Sequence, residues 1–128
     1  MIRTICFLLL AFCFSCTQNR VEAQSKLSPE RFETMLKKDA TVQLLDVRTP
    51  EEYQSGHIAG ATNLNFYDDN FAQQIRKLDK TKPVMVYCAK GGRSASAAEQ
   101  LSQNGFPQVY DLEGGITAWK EAGKKVEQ

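Results

Sequence analysis

Short apolar runs, each followed by a turn and a helical segment, recur along the chain from Ser28 to Gly123, and this alternation restricts the fold more than any other feature. Val42-Gln43-Leu44-Leu45-Asp46-Val47 is rich in branched apolar residues between polar flanks, and Pro83 opens Val84-Met85-Val86-Tyr87. Both read as buried strands. Ala61 to Leu64 and Val109 to Leu112 read as two more. Between them lie helix signals. Ser28 caps a helix with Pro29 at its first position and Phe32, Met35 and Leu36 on one face. Thr49-Pro50-Glu51-Glu52 is a capping box that opens a short helix ending at Gly56. Phe71, Ile75 and Leu78 share a face of the next helix. Ser94 is placed to cap another, with Ala98 and Leu101 on one side and Gly105 as its stop, and Glu113-Gly114-Gly115 leads into a last helix that carries Trp119.

After the first helix the order is strand, short helix, strand, helix, strand, helix, strand, helix, with connections long enough for parallel crossovers. A chain of 128 residues, 42% of them apolar, supports one such core and is too short for two domains. The expectation is a single α/β domain with a mostly parallel sheet, in which ligands bind beyond the carboxyl ends of the strands. There is no internal repeat and no low-complexity segment.

The first residues do not fit that pattern. Arg3, the apolar run from Ile5 to Phe14 and then Ser15-Cys16-Thr17-Gln18-Asn19 follow the order of a secretory signal, and the run is too short to remain as a membrane span. Cys13-Phe14-Ser15-Cys16 resembles an imperfect bacterial lipoprotein box, with Cys16 as the lipidated residue and Thr17 to Lys26 as a polar tether. Cleavage after Val21-Glu22-Ala23 is the alternative. The expected organisation is a signal over residues 1–16, a linker over 17–26 and a folded domain over 27–128. The protein is expected to be exported, to the bacterial periplasm or to a lipid anchor. Losing residues 1–16 removes one of 16 basic residues, Arg3, and none of the 15 acidic ones. The near-neutral remainder gives no reason to expect a nucleic-acid surface, or a membrane contact beyond the anchor.

Export makes the cysteines informative. Of the four, Cys6 and Cys13 lie in the signal and Cys16 is lipidated or removed, so Cys88 is the sole thiol expected in the mature domain. An unpaired thiol is unusual in an oxidising compartment, which points to a function. Its surroundings, Cys88-Ala89-Lys90-Gly91-Gly92-Arg93-Ser94, follow a strand end and precede a helix. Gly91 and Gly92 allow a tight turn that aims backbone N–H groups inward, Ser94 starts a helix whose positive end faces the same place, and Lys90 and Arg93 add charge. Arg93 is suited to grip an oxyanion through two parallel hydrogen bonds. Activation of Cys88 is expected to be electrostatic, because His57, the only histidine, reads as a structural hydrogen-bonding residue. Asp46 and Arg48 read as a bracing ion pair and Trp119 as core. Neither a zinc site of usual composition nor a cofactor is expected.

These residues resemble the successive motifs of a single-domain rhodanese. The resemblance runs from Leu44 to Tyr53, through Gly56-His57-Ile58-Ala59-Gly60-Ala61 and Cys88 to Ser94, to Glu113-Gly114-Gly115-Ile116-Thr117-Ala118-Trp119. It implies a five-stranded sheet with helices on both faces and a persulfide on Cys88. It also implies that Ala89, Lys90, Gly91, Gly92, Arg93 and Ser94 bind the anionic end of a sulfur donor. Thiosulfate or a similar small molecule is the implied donor, and cyanide or an external thiol the acceptor, for a chain expected to be monomeric. Ala89 departs from the polar or basic residue common there in thiosulfate-using relatives. Two rivals are a non-catalytic carrier or partner-binding module and a cysteine phosphatase. The phosphatase loop places five residues between cysteine and arginine; here there are four, Ala89 to Gly92.

Overall fold

A computed structural model describes residues 24–128. The signal, Cys16 and the cut after Ala23 lie outside the described residues. Five strands form one sheet in the order β1-β5-β4-β2-β3, and every ladder is parallel. They are β1 (Gln24–Leu27), β2 (Gln43–Asp46), β3 (Thr62–Asn63), β4 (Val84–Tyr87) and β5 (Val109–Leu112). The helices are α1 (Pro29–Lys38), α2 (Pro50–Gln54), α3 (Phe71–Arg76), α4 (Gly92–Gln103) and α5 (Gly115–Glu121). The five-stranded α/β sheet implied by the resemblance is therefore present.

The central strand β4 is buried at every position, and its side chains divide the core in two. Val84, Val86 and Cys88 pack with Leu45, Ile75, Ala97, Ala98 and Leu101 under α3 and α4. Met85 and Tyr87 pack with Phe32, Ile116 and Trp119 under α1 and α5. A strand buried on both faces has no polar side to show, which is why its sequence runs apolar without alternation.

Among the described residues, side-chain caps start two of the five helices. Ser28 Oγ accepts the Arg31 N–H at 3.3 Å, and Thr49 and Glu52 complete the reciprocal capping box of α2.

Two expectations need correction. The stretch read as linker ends in a strand, because Gln24, Ser25 and Lys26 pair with Val109, Tyr110 and Asp111 in β1. An edge strand with one apolar residue, Leu27, has no periodic signature, and its ladder to β5 is a long-range fact. The second concerns α4, which begins at Gly92 and is capped by Gly91 at φ +116°. Ser94 sits inside the first turn, with its hydroxyl donating to the Gly91 carbonyl at 3.2 Å. The glycine turn closes sooner than the serine signal suggested, since a left-handed residue reverses the chain in one step.

Candidate functional site

Cys88 lies one residue beyond β4, at the carboxyl edge of the sheet, and is 1% exposed. Its Sγ accepts the Gly91 N–H at 3.0 Å, and its thiol donates to Ser94 Oγ at 3.4 Å. Gly91 must hold φ +116° to aim that N–H back at the sulfur. The N-terminus of α4, a helix of 12 residues, begins beside it. A backbone donor and a helix N-terminus both direct partial positive charge at the sulfur.

The loop is clamped from behind by a second element. Ile116 N–H donates to the Cys88 carbonyl at 2.9 Å and Thr117 N–H to the Ala89 carbonyl at 3.1 Å. These are N–H groups of the first turn of α5, which no helical carbonyl could satisfy. The approach is so close that a Cβ on Gly115, at φ +62°, would lie 2.5 Å from the Ala89 oxygen. Gly114-Gly115 had read only as a helix lead-in. Doubled glycines before a helix were the available signal for such a contact.

Arg93 departs from expectation. Its fork does not stand open toward the sulfur but grips Glu52, with Nη1 to Oε1 at 2.7 Å and Nη2 to Oε2 at 3.0 Å. The guanidinium also lies 5.5 Å from the centre of the Tyr67 ring. Glu52 is held at about 2, chiefly by the hydrogen bond from Arg93. Cys88 is still within electrostatic reach of the guanidinium. In the sequence Glu52 carries only the signal of its cap, and Tyr67 carries none.

Of the other loop residues, Lys90 is exposed, Gly92 is exposed as the first residue of α4, and Ala89 contributes its carbonyl to α5. Sulfur, Gly91 and Ser94 are thus brought together, with Arg93 nearby and Lys90 turned to solvent.

The remaining residues take structural roles. Arg48 binds Asp46 through Nε and Nη2, the latter at 2.7 Å, and both are buried. Its Nη2 also donates to the Gly56 carbonyl at 2.6 Å, so the pair directly braces the turn after α2. His57 Nδ1 is 3.0 Å from the Tyr53 carbonyl, its ring stacks on Tyr53, and its backbone pairs with Glu127. Trp119 is buried, edge-on to Phe32, with Nε1 donating to the Lys125 carbonyl at 2.9 Å. Among the described residues no group of three or more His, Cys, Asp or Glu side chains is placed to hold a metal ion, and no helix is long and apolar enough to cross a membrane.

Residues 28–122 match the family model described as the rhodanese-like domain, and that span contains β2 to β5 together with the whole cysteine loop. The chain belongs to the rhodanese-like domain family. Among curated relatives it is 43% identical over 82 residues to the thiosulfate sulfurtransferase GlpE of Shewanella oneidensis, covering 64% of this chain and 79% of that one. The GlpE of Coxiella burnetii is 40% identical over 91 residues, covering 71% and 81%. A crystal structure of a rhodanese-related protein from Thermoplasma volcanium superposes with a TM-score of 0.71 at 34% identity, covering 80% of this chain and 97% of that one. In this rhodanese-like domain Cys88 and its loop lie at the carboxyl end of the central strand β4.

Proposed function

We propose that this rhodanese-like protein is a sulfurtransferase that carries sulfane sulfur as a persulfide on Cys88. The observation that carries the reading is the Gly91 N–H at 3.0 Å from Cys88 Sγ, at the N-terminus of α4. A sulfur so placed has partial positive charge aimed at it, the arrangement that suits a nucleophilic sulfur and the persulfide it forms. The likeness to thiosulfate sulfurtransferases at about 40% identity supports the same reading.

With thiosulfate as donor, the Cys88 thiolate attacks the outer sulfur. The sulfur–sulfur bond of the donor breaks, and sulfite leaves with its electron pair. Cyanide or a thiolate then attacks the outer sulfur of the persulfide, taking it as thiocyanate or as a new persulfide and restoring the Cys88 thiolate. Cys88 is the one cysteine among the described residues, so the domain holds no second thiol to resolve the persulfide as a disulfide. The acceptor comes from outside.

The loop of four residues between Cys88 and Arg93 supports sulfur over phosphate, since a smaller ring of N–H groups suits one sulfur better than a tetrahedral oxyanion. Export through residues 1–16, with lipidation of Cys16 or cleavage after Ala23, belongs to the same proposal, and the mass of the mature N-terminus tests it. The monomer is tested by light scattering.

Incubation with thiosulfate is expected to add the mass of one sulfur atom to the peptide containing Cys88, and cyanide to remove it with thiocyanate formed. Cys88→Ser is expected to abolish both. Absence of loading and of turnover in the unaltered protein, with a range of sulfane donors, sinks the enzyme reading and leaves a binding module.

A further inference from the structure

The cysteine loop has little left with which to hold the far end of a sulfur donor. Cys88 is 1% exposed, so a slim outer sulfur reaches it while the group that carries that sulfur stays at the mouth. Of the two cations in the loop, Lys90 is turned to solvent and Arg93 gives both terminal nitrogens to Glu52, at 2.7 and 3.0 Å. Glu52 is fixed in that place, because Thr49 donates to its Oε1 from the backbone at 3.3 Å and from Oγ1 at 3.2 Å. The Ser94 hydroxyl donates to the Gly91 carbonyl, and the Ala89 carbonyl accepts from Thr117. A sulfonate bonded directly to the transferred sulfur therefore meets a fork that already carries a carboxylate.

On the same guanidinium lies an aromatic ring. Among the described residues Tyr67 is the one large apolar side chain left exposed, at 66%, and its ring centre is 5.5 Å from Arg93 Cζ. The turn that presents it is braced. Tyr67 N–H donates to Asn65 Oδ1 at 3.0 Å, Asn65 Nδ2 to Asp68 Oδ1 at 3.3 Å, and Phe66 N–H to the Val47 carbonyl at 3.1 Å. Because β3 and β4 both run parallel to β2, the segment after β3 and the loop after β4 lie at one edge of the sheet. The ring is thus held out to solvent beside the cysteine loop, with a face suited to a carbon group.

We propose that Glu52 and Tyr67 set the donor specificity of this site. Glu52 occupies the Arg93 fork against inorganic thiosulfate, and Tyr67 receives the carbon carrier of an organic sulfane donor, a persulfide or a thiosulfonate. The proposal rests on the sulfur-transfer reading and deepens it by naming the donor class. The Cys88 thiolate bonds to the outer sulfur and the donor's sulfur–sulfur bond breaks. The carrier leaves with the electron pair, as a thiolate from a persulfide or a sulfinate from a thiosulfonate. A thiosulfonate has a carbon group where thiosulfate has a charged oxygen, so the two donors differ in the features that Tyr67 and Glu52 read.

The test is steady-state kinetics of the full chain with thiosulfate, methanethiosulfonate and benzenethiosulfonate as donors and cyanide as the common acceptor. Thiocyanate is read above a Cys88→Ser blank, so that the other cysteines do not contribute. The intrinsic reactivity of each donor cancels when a variant is compared with the unaltered protein. Tyr67→Ala is expected to lower the ratio of kcat/KM for benzenethiosulfonate to that for methanethiosulfonate by about fivefold, mostly through KM, the scale of one aromatic contact. Tyr67→Phe is expected to keep that ratio within about twofold, since the ring remains. Glu52→Gln is expected to raise kcat/KM for thiosulfate relative to benzenethiosulfonate by about 3- to 10-fold.

A ratio unmoved by Tyr67→Ala, or lowered as far by Tyr67→Phe, overturns the proposal, because the ring would then not be what the carrier meets. A thiosulfate preference unmoved by Glu52→Gln overturns it too. If a variant does not fold by circular dichroism, inhibition of the unaltered protein decides. Benzenesulfinate competing with thiosulfate about threefold or more tightly than methanesulfinate supports the proposal, and equal inhibition overturns it. Turnover with unmoved ratios removes the donor preference alone, whereas no turnover with any of these donors removes the sulfur-transfer reading and this proposal with it.

Discussion

At the scale of single residues, the pairing of Arg93 with Glu52 bears most directly on activity. The two terminal nitrogens that would bind an anionic donor are already committed to a carboxylate. An arriving dianion must displace Glu52 or approach a guanidinium whose charge is offset. Glu52→Gln keeps a side chain that can complete the cap with Thr49 and removes the competing charge. It is expected to raise kcat/KM for thiosulfate by roughly 3- to 10-fold, the scale of a partly exposed ion pair. Steady-state kinetics checks this, and an unchanged or lower value excludes Glu52 as a competitor. Cys88 and its Gly91 donor were legible locally, within four residues of sequence. The partner of Arg93 lies 41 residues away, and no local pattern announces it.

At the scale of elements, the cysteine loop depends on α5 as much as on α4. Gly115→Ala puts a methyl group against the Ala89 backbone and strains a positive φ. The expected loss is about 2 to 4 kcal/mol by chemical denaturation, together with slower alkylation of Cys88. Gly123→Ala, at φ +75° with nothing near its Cβ position, is the control and is expected to cost about 1 kcal/mol and to leave the thiol unchanged. Phe32, fully buried against Trp119, ties α1 to α5. Phe32→Ala is expected to cost about 3 to 5 kcal/mol, read from the same denaturation curves. Capping residues and apolar spacing made α1 and α2 readable. They failed at α4 because Gly91 could do with backbone geometry what Ser94 was expected to do with a side chain, and at β1 because an edge strand buries little.

At the scale of the whole molecule, pH reports on the Glu52–Arg93 link between α2 and α4. Glu52 is depressed from 4.5 to about 2, so its contribution is present above pH 4.5 and is lost as pH falls toward 2. Thermal melts should show a decline in Tm across that window that is shallower in Glu52→Gln; equal slopes would falsify the link. The opposite sign holds for Asp111, whose raised carboxyl favours the folded state at low pH and costs stability as pH rises through its titration. By itself the sequence determined the α/β class, the central strands, and a lone cysteine at a strand end beside glycines and a helix start, because these follow from periodicity and from turns of a few residues. Only the tertiary structure decided that Gln24 to Leu27 extend the sheet, that Glu52 takes the fork of Arg93, and that α5 holds the cysteine loop. Each of those joins residues far apart in the chain, and such contacts are settled by which surfaces the packed sheet and helices bring together.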